Sequence, residues 1–302
     1  MEKTHHRISL GHSFNAQVYD TYTPHPPIAH LPLPFIMPTK TRIAIHGAAG
    51  RMGQRLIALA AADQELSIVA ALEAGTHPKI GQDAGAIAGV GKLGIPLSAD
   101  MTPNTQVVID FSVPTGTESI LKKCMAAHIP VVVATTGLEK QQTQLIQEAA
   151  KSIAVLWSPS MSLAVNLTMR LAEIAAKALA HHSSGVDVEI IERHHRFKED
   201  APSGTALKFG ELIAAQMGHT AAKHGREGRV GQRPHNEIGY HAVRLGDNAG
   251  EHAIIFGMLG ETIELHVKAS NRDCYAHGAI AAAKFLAGKP AGLYRMRDVL
   301  GM

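Results

Sequence analysis

Cysteine is almost missing: the 302 residues hold 2, Cys124 and Cys274. They lie far apart and outside any CxxC spacing, which argues against a disulfide framework or a cysteine-based zinc site and fits a reducing cytosol. Aromatic residues are 4% of the chain, too few for the stacking platforms that bind single-stranded nucleic acid. Neither sign of charge is in clear excess, since Lys plus Arg number 29 and Asp plus Glu 26. A net charge of +3 gives no concentrated basic surface for nucleic acid or an anionic membrane. No run of about eighteen apolar residues occurs, so no spanning helix is expected. What is present is 45% hydrophobic and 18% charged, enough to bury a core. The length favours two domains.

Residues 1–40 differ from the rest. Pro24, Pro26, Pro27, Pro32, Pro34 and Pro38 fall here, and each removes a donor and restricts its predecessor, so no helix can form. No apolar core with a small-residue cleavage site precedes them, and Arg7 is the sole arginine, so neither a secretory nor an organellar leader fits. The segment reads as a disordered tail, or as sequence upstream of a working start at Met37.

From Thr41 the pattern changes. Thr41 to His46 alternates as a strand and runs into G-A-A-G-R-M-G, Gly47 to Gly53. A helix follows, with Met52, Leu56 and Leu59 at helical spacing, then a strand from Leu66 to Leu72 ending on Glu73. Strand, glycine turn, helix, strand and acid form the dinucleotide fingerprint in its required context. Gly47 permits the tight turn, and the helix from Arg51 directs free N–H groups and its positive dipole end at a pyrophosphate. Glu73, 26 positions after Gly47, can accept from ribose hydroxyls. Its carboxylate repels a 2′-phosphate, and Ala74 supplies no offsetting cation, which favours NADH over NADPH.

Val107 to Phe111, Pro130 to Gly137 and Ile153 to Trp157 are near-continuous apolar runs, as buried parallel strands should be. Thr115 to Ala127 and Glu139 to Lys151 read as crossover helices, with Cys124 a small hydrophobe on the first. A-T-T-G (from Ala134) and S-P-S-M-S (Ser158 to Ser162) follow strand C-termini, where open α/β sheets bind ligands.

The second half reads differently. Ser162 to Ala180 is a long amphipathic helix and Val186 to Glu192 a half-buried strand. Tyr240 to Leu245, His252 to Met258 and Thr262 to Ala269 read as strands with connections short enough for hairpins. The expected fold is α/β: a Rossmann-like, doubly wound parallel sheet domain plus an α+β domain with an open, mostly antiparallel sheet. The domains are expected at 41–162, completed by 272–302, and at 163–271, where the uncovered sheet face suggests oligomerisation. Tyr275 to Leu286 should be a helix packed back on the first domain.

The densest polar cluster is E-R-H-H-R-F-K-E-D-A-P-S-G-T-A, Glu192 to Ala206. Two imidazoles, two guanidiniums and Lys198 converge in it, and S-G-T opens a helix from Thr205 to Met217 whose N-terminus offers donors to an anion. A carboxylate-bearing substrate suits this surface, and histidine is the natural proton donor near neutral pH. Neighbouring cations would depress its pKa. His194 and His195 are adjacent and lack zincin spacing, so no metal site is expected. The pairs His5/His6 and His181/His182 read as surface.

Together, G-A-A-G-R-M-G, V-I-D-F-S-V-P, A-T-T-G, the Glu192–Ala206 stretch and the closing M-R-D-V-L make the chain, from Thr41 to Met302, resemble the dihydrodipicolinate (4-hydroxy-tetrahydrodipicolinate) reductase family of bacterial lysine biosynthesis. The resemblance implies that His194 is a proton donor/acceptor and Lys198 the proton donor. It implies that His195, Gly204 and Thr205 hold a small cyclic imine dicarboxylate. It further implies that Gly47, Ala48, Ala49, Gly50, Arg51, Met52, Glu73, Ala134, Thr135, Thr136, Ser158, Pro159, Ser160 and Met161 line the site of NADH or NADPH. It implies a cytoplasmic homotetramer with no nucleic-acid or membrane partner. Ala134 replaces the family's usual glycine, and Ala74 stands where NADPH-using members can carry arginine. The alternatives are another two-domain nicotinamide oxidoreductase, which would need a different polar constellation, and an NAD-responsive regulator working through the open sheet.

Overall fold

The computed structural model describes residues 40–302. The expected tail, with His5, His6 and Met37, lies outside the described residues, Lys40 excepted. In chain order the elements are β1 (Thr41–His46), α1 (Arg51–Ala62), β2 (Leu66–Leu72), α2 (Ala84–Ile87), β3 (Leu97–Ser98), β4 (Val107–Asp110), α3 (Pro114–Ala127), β5 (Val131–Val133), α4 (Lys140–Ala149) and β6 (Ala154–Trp157). They continue with α5 (Leu163–Leu179), β7 (Asp187–His194), α6 (Gly204–Met217), β8 (Ala221–His224), β9 (Glu237–Arg244), β10 (Glu251–Met258), β11 (Glu261–Lys268), α7 (Asp273–Leu286), β12 (Gly292–Tyr294) and α8 (Met296–Val299). Among the described residues no helix is long and apolar enough to cross a membrane.

The first sheet has seven strands in the order β12-β6-β5-β4-β1-β2-β3, and every pairing in it is parallel. Its strands are apolar throughout because both faces are covered. Ile43, Ile45, Ile109, Val132 and Leu156 face α1 and α7. Their alternates Ala44, Val108, Val131, Val133 and Val155 face α3 and α4, where Cys124 is fully buried. Burial pushes the Cys124 thiol up to about 12, so it stays a neutral hydrophobe. The order reverses between β1 and β4, the switch point at which such sheets bind ligands. Tyr275 to Leu286 is helical and packs on this sheet, as expected, and β12, too short to read from pattern, extends the sheet beside β6. The buried face of α1 is Gly53, Leu56, Ile57 and Ala60; Met52 and Leu59 sit at its margin.

The second sheet, β11-β10-β7-β9-β8, is mixed rather than mostly antiparallel. The β10–β11 hairpin and the β7–β10 pair are antiparallel, but β9 is parallel to both β7 and β8. The connection from β9 to β10 is therefore not a hairpin. The two strands flank β7, and the link between them crosses the end of β7, where Leu245 N bonds the His194 carbonyl (3.0 Å) and Arg196 N the Gly246 carbonyl (3.1 Å). The long α6–β8 excursion makes this possible, since a parallel return needs a crossover element. Phe209, Ile213, Val188, Ile190, Ile254 and Phe256 form the core between this sheet and α5–α6.

Candidate active site

The glycine turn leaves β1 with Gly47 at φ +77°, where a Cβ would lie 2.5 Å from the Phe111 carbonyl oxygen. Only glycine fits both the left-handed conformation and the neighbouring strand. Gly47 and Ala48 amides bond the Leu72 carbonyl (3.0 and 3.1 Å), and Gly50 N bonds the Gly47 carbonyl (3.0 Å). Gly50 caps α1 without a side-chain bond, and the first turn carries no acidic residue. The amides of that turn are thus free for an anion, which is what a dinucleotide pyrophosphate requires. Glu73 accepts from the Ala49 amide (3.1 Å) and the Ala74 amide (3.2 Å). It lines a side pocket with His46, Ala74, Gly75, Ser112, Gly116 and Lys123. These residues fit an adenosine half of a dinucleotide.

A larger cavity of ≈ 460 Å³ opens beside the turn. Arg51, Met52, Ala134, Thr135, Thr136, Pro159, Ser160 and Met161 line one side. His194, Thr205, Gly250, His252, Val267 and Ala269 line the other. Residues from both sheets therefore share one cleft. Ser158 is buried behind it and donates to the Ser160 carbonyl (2.8 Å). The Thr135 hydroxyl is anchored on buried Asp110 (3.0 Å), which also accepts from Ser112 (2.6 Å) and Thr117 (2.6 Å).

The polar cluster does not converge as its sequence suggests. His194 is not in a loop: β7 runs two residues further than expected and ends on it. Period-2 alternation buries Val188, Ile190, Glu192 and His194 on one face. Arg193 points to the other, towards Glu251 (3.6 Å). His195 packs against Phe197 (ring centroids 6.2 Å apart), which is itself 76% exposed. Lys198 is outside the lining residues, and its Nζ donates to Asp200 Oδ1 (2.7 Å). Gly204 opens α6 behind the Ser203 cap, while Thr205 reaches the cavity. His181 and His182 are exposed.

Around His194 the electrostatics are tightly organised. Glu192, 1% exposed, accepts hydrogen bonds from His194 Nδ1 (2.5 Å), both terminal nitrogens of Arg244 (2.8 Å each) and the Ser203 amide (3.1 Å). Burial works to raise the Glu192 carboxyl, but Arg244 and His194 outweigh it and hold it below its ordinary value. Burial pushes the His194 imidazole below its ordinary value; Lys198 and Arg244 act in the same direction and Glu192 against them. Neighbouring cations are thus a secondary cause, not the main one. An ionised Glu192 can only accept, so Nδ1 carries the proton of the neutral ring and Nε2 is left towards Gly250 and the cavity. His252 stands edge-on to His194, centroids 5.3 Å apart, and shares a hydrogen bond with the Ser203 hydroxyl through Nε2 (3.1 Å). Burial, with His194 adding, pushes His252 down to about 4.

Sequence reading missed Glu192, Arg244 and His252, and also Arg272 and Tyr275, which line the cavity as well. The alternation along β7 could have paired Glu192 with His194. The other partners follow only from register, which sets His252 across from Glu192 and Arg244 across from His194.

Profiles of known families match both halves: "Dihydrodipicolinate reductase, N-terminus" over residues 41–161 and "Dihydrodipicolinate reductase, C-terminus" over 164–300. A 4-hydroxy-tetrahydrodipicolinate reductase of Rhodopirellula baltica is 56% identical over 268 residues, covering 86% of this chain and 96% of that protein. One of Cupriavidus pinatubonensis is 45% identical over 266 residues, 86% of this chain and 99% of its own. Among solved structures, a dipicolinate-bound dihydrodipicolinate reductase of Paenisporosarcina sp. TG-14 superposes with TM-score 0.67 at 25% identity, covering 85% of this chain and 98% of that one.

Proposed function

The chain belongs to the dihydrodipicolinate reductase family, and we propose on that premise that its cleft reduces 4-hydroxy-tetrahydrodipicolinate, through dihydrodipicolinate, to tetrahydrodipicolinate with NAD(P)H, in the diaminopimelate route to lysine. One observation carries the reading: His194 and Thr205 line the same cavity as the glycine-turn residues Arg51 and Met52 and the strand-end residues Ala134 to Thr136. When bound, the nicotinamide supplies a hydride.

The chain's own residues do the rest. The amides at the start of α6, at Gly204 and Thr205, receive one substrate carboxylate, since the Ser203 hydroxyl is already committed to the Ala206 amide and His252. His195 contributes a further polar edge to that carboxylate. The His194 Nε2 edge faces the reacting ring and exchanges a proton there. Lys198 is the proton donor; to reach the ring, its ammonium leaves Asp200 by rotation of the side chain, the turn itself staying in place. Charge that develops on the conjugated nitrogen is stabilised by the Lys198 ammonium and by Arg51 and Arg272, which line the cavity. Glu73 and the absence of a cation at Ala74 favour NADH. The open face of the second sheet carries half-buried Ile191 and Ile255 and exposed Val243, which supports a homotetramer. The two-cysteine composition supports a cytoplasmic location.

The test is loss of NAD(P)H absorbance with 4-hydroxy-tetrahydrodipicolinate as substrate. Steady consumption is expected with intact protein, and none would overturn the reading. His194→Gln should lower kcat by about 10² to 10⁴-fold, the usual share of a general acid or base, with NADH affinity unchanged. Equal loss of both would remove His194 from its role.

A further inference from the structure

Two of the groups assigned above sit on different supports: His194 ends a strand, whereas Lys198 lies in the turn that follows it. Arg244, on β9, touches the support of each. Its Nη1 and Nη2 grip Glu192 (2.8 Å each), which holds His194 Nδ1. The same Nη2 donates to the Asp200 carbonyl (2.6 Å), two residues beyond Lys198. The remaining donor, Nε, is buried without a partner. A guanidinium that leaves one donor unmet is held where its fork is needed, not where its bonding is complete.

We infer that Arg244 is the positioning residue of this reaction: through Glu192 it fixes the tautomer and orientation of His194, and through the Asp200 carbonyl it sets the distance from His194 to the turn that carries Lys198. The inference rests on the assignment of His194 and Lys198 made above. Lysine cannot replace arginine here, because a single ammonium does not span both carboxylate oxygens and a carbonyl in one plane. The charged and titratable groups facing His194 are Glu192 on its own strand, Arg244 from β9, Lys198 from the following turn and His252 from β10, with Arg51 and Arg272 across the cavity.

The signs of the two perturbations differ. Glu192 raises the His194 pKa and Arg244 lowers it. The test uses the full chain in four forms: wild type, Glu192→Gln, Arg244→Met and Arg244→Lys. The His194 ring is titrated by NMR without cofactor, and kcat is then measured against pH with saturating NADH. Glu192→Gln should move the His194 titration down and Arg244→Met should move it up. Arg244→Lys should leave it in place. All three should lower kcat, Arg244→Lys by about 10² as expected for a displacement near 1 Å, while NADH affinity holds within about twofold. Shifts of the same sign, or full kcat in Arg244→Lys, would overturn the inference. If Arg244→Met does not fold, Glu192→Gln and Arg244→Lys decide by the same criteria. His194→Gln with undiminished turnover would instead remove the underlying assignment, whatever the titrations show.

Discussion

His252 shows how burial, with a neighbouring imidazole adding, can make one side chain set a pH limit on the whole fold. The native state keeps it neutral down to about 4, whereas the unfolded chain protonates it near 6.5. Between those values the unfolded state binds more protons, so stability falls as pH drops through that window. At its limit the loss is about 3 kcal/mol. His252→Gln keeps a hydrogen-bonding partner for Ser203, able to donate or accept, and removes the titration. Urea midpoints at pH 7 and pH 4.5 should therefore differ less in this variant than in wild type, and an unchanged difference would exclude His252 as the cause. Lys123 poses a second residue-scale question. It donates to the Ala99 carbonyl (2.8 Å) and lines the side pocket that carries Glu73 and Ala74. An ammonium there can meet a 2′-phosphate that Ala74 cannot. Lys123→Met should lower kcat/KM for NADPH by about tenfold and leave that for NADH within about twofold, as removal of one charge-assisted contact predicts. Equal effects on both cofactors would deny Lys123 that role.

At the scale of elements, α7 decides where one wall of the cleft sits. A Cβ on Gly278 would lie 1.7 Å from the Met161 carbonyl oxygen. The helix therefore seats directly on the segment that lines the cavity through Pro159, Ser160 and Met161. Gly278→Ala must push one of them aside. It should cost about 1–3 kcal/mol in urea denaturation, the usual range for overpacking. It should also raise the KM for NADH, because the displaced segment is a cavity wall. A stability loss with unchanged KM would show that the segment moves independently of the site. The pattern of the first sheet was legible because both its faces are buried and its strands are apolar runs between glycine turns. The second sheet was legible in its strands but not in its order. Alternation marks the buried face of a strand and says nothing of which neighbour it meets.

At the scale of the whole molecule, the second sheet has a helix-covered face and an open one, where Val243 is 38% exposed near half-buried Ile191 and Ile255. With a chain mass of 32.1 kDa, light scattering should give a particle of four chains. Val243→Asp combined with Ile255→Asp should lower that mass by placing carboxylates where apolar contact is needed. A four-chain particle that survives both changes would move the interface elsewhere, to surfaces such as Leu167, Leu171 and Ile174 on α5.

What the sequence determined by itself was local. The turn that only Gly47 can make, the apolar runs of a doubly covered sheet and the start of α6 at the S-G-T triplet all follow from short-range sterics, hydrogen bonding and periodicity. The family resemblance reached further, since it named His194, Lys198 and Thr205. Only tertiary structure decided that β9 and β10 flank β7, and hence that Arg244 and His252 arrive beside a His194 some fifty residues away in the chain. It also left Lys198 on Asp200, outside the cavity. The physical reason is that a buried carboxylate such as Glu192 must gather its donors from whichever strands lie next to it. That adjacency is set by packing and crossover connections, which leave no spacing to be read.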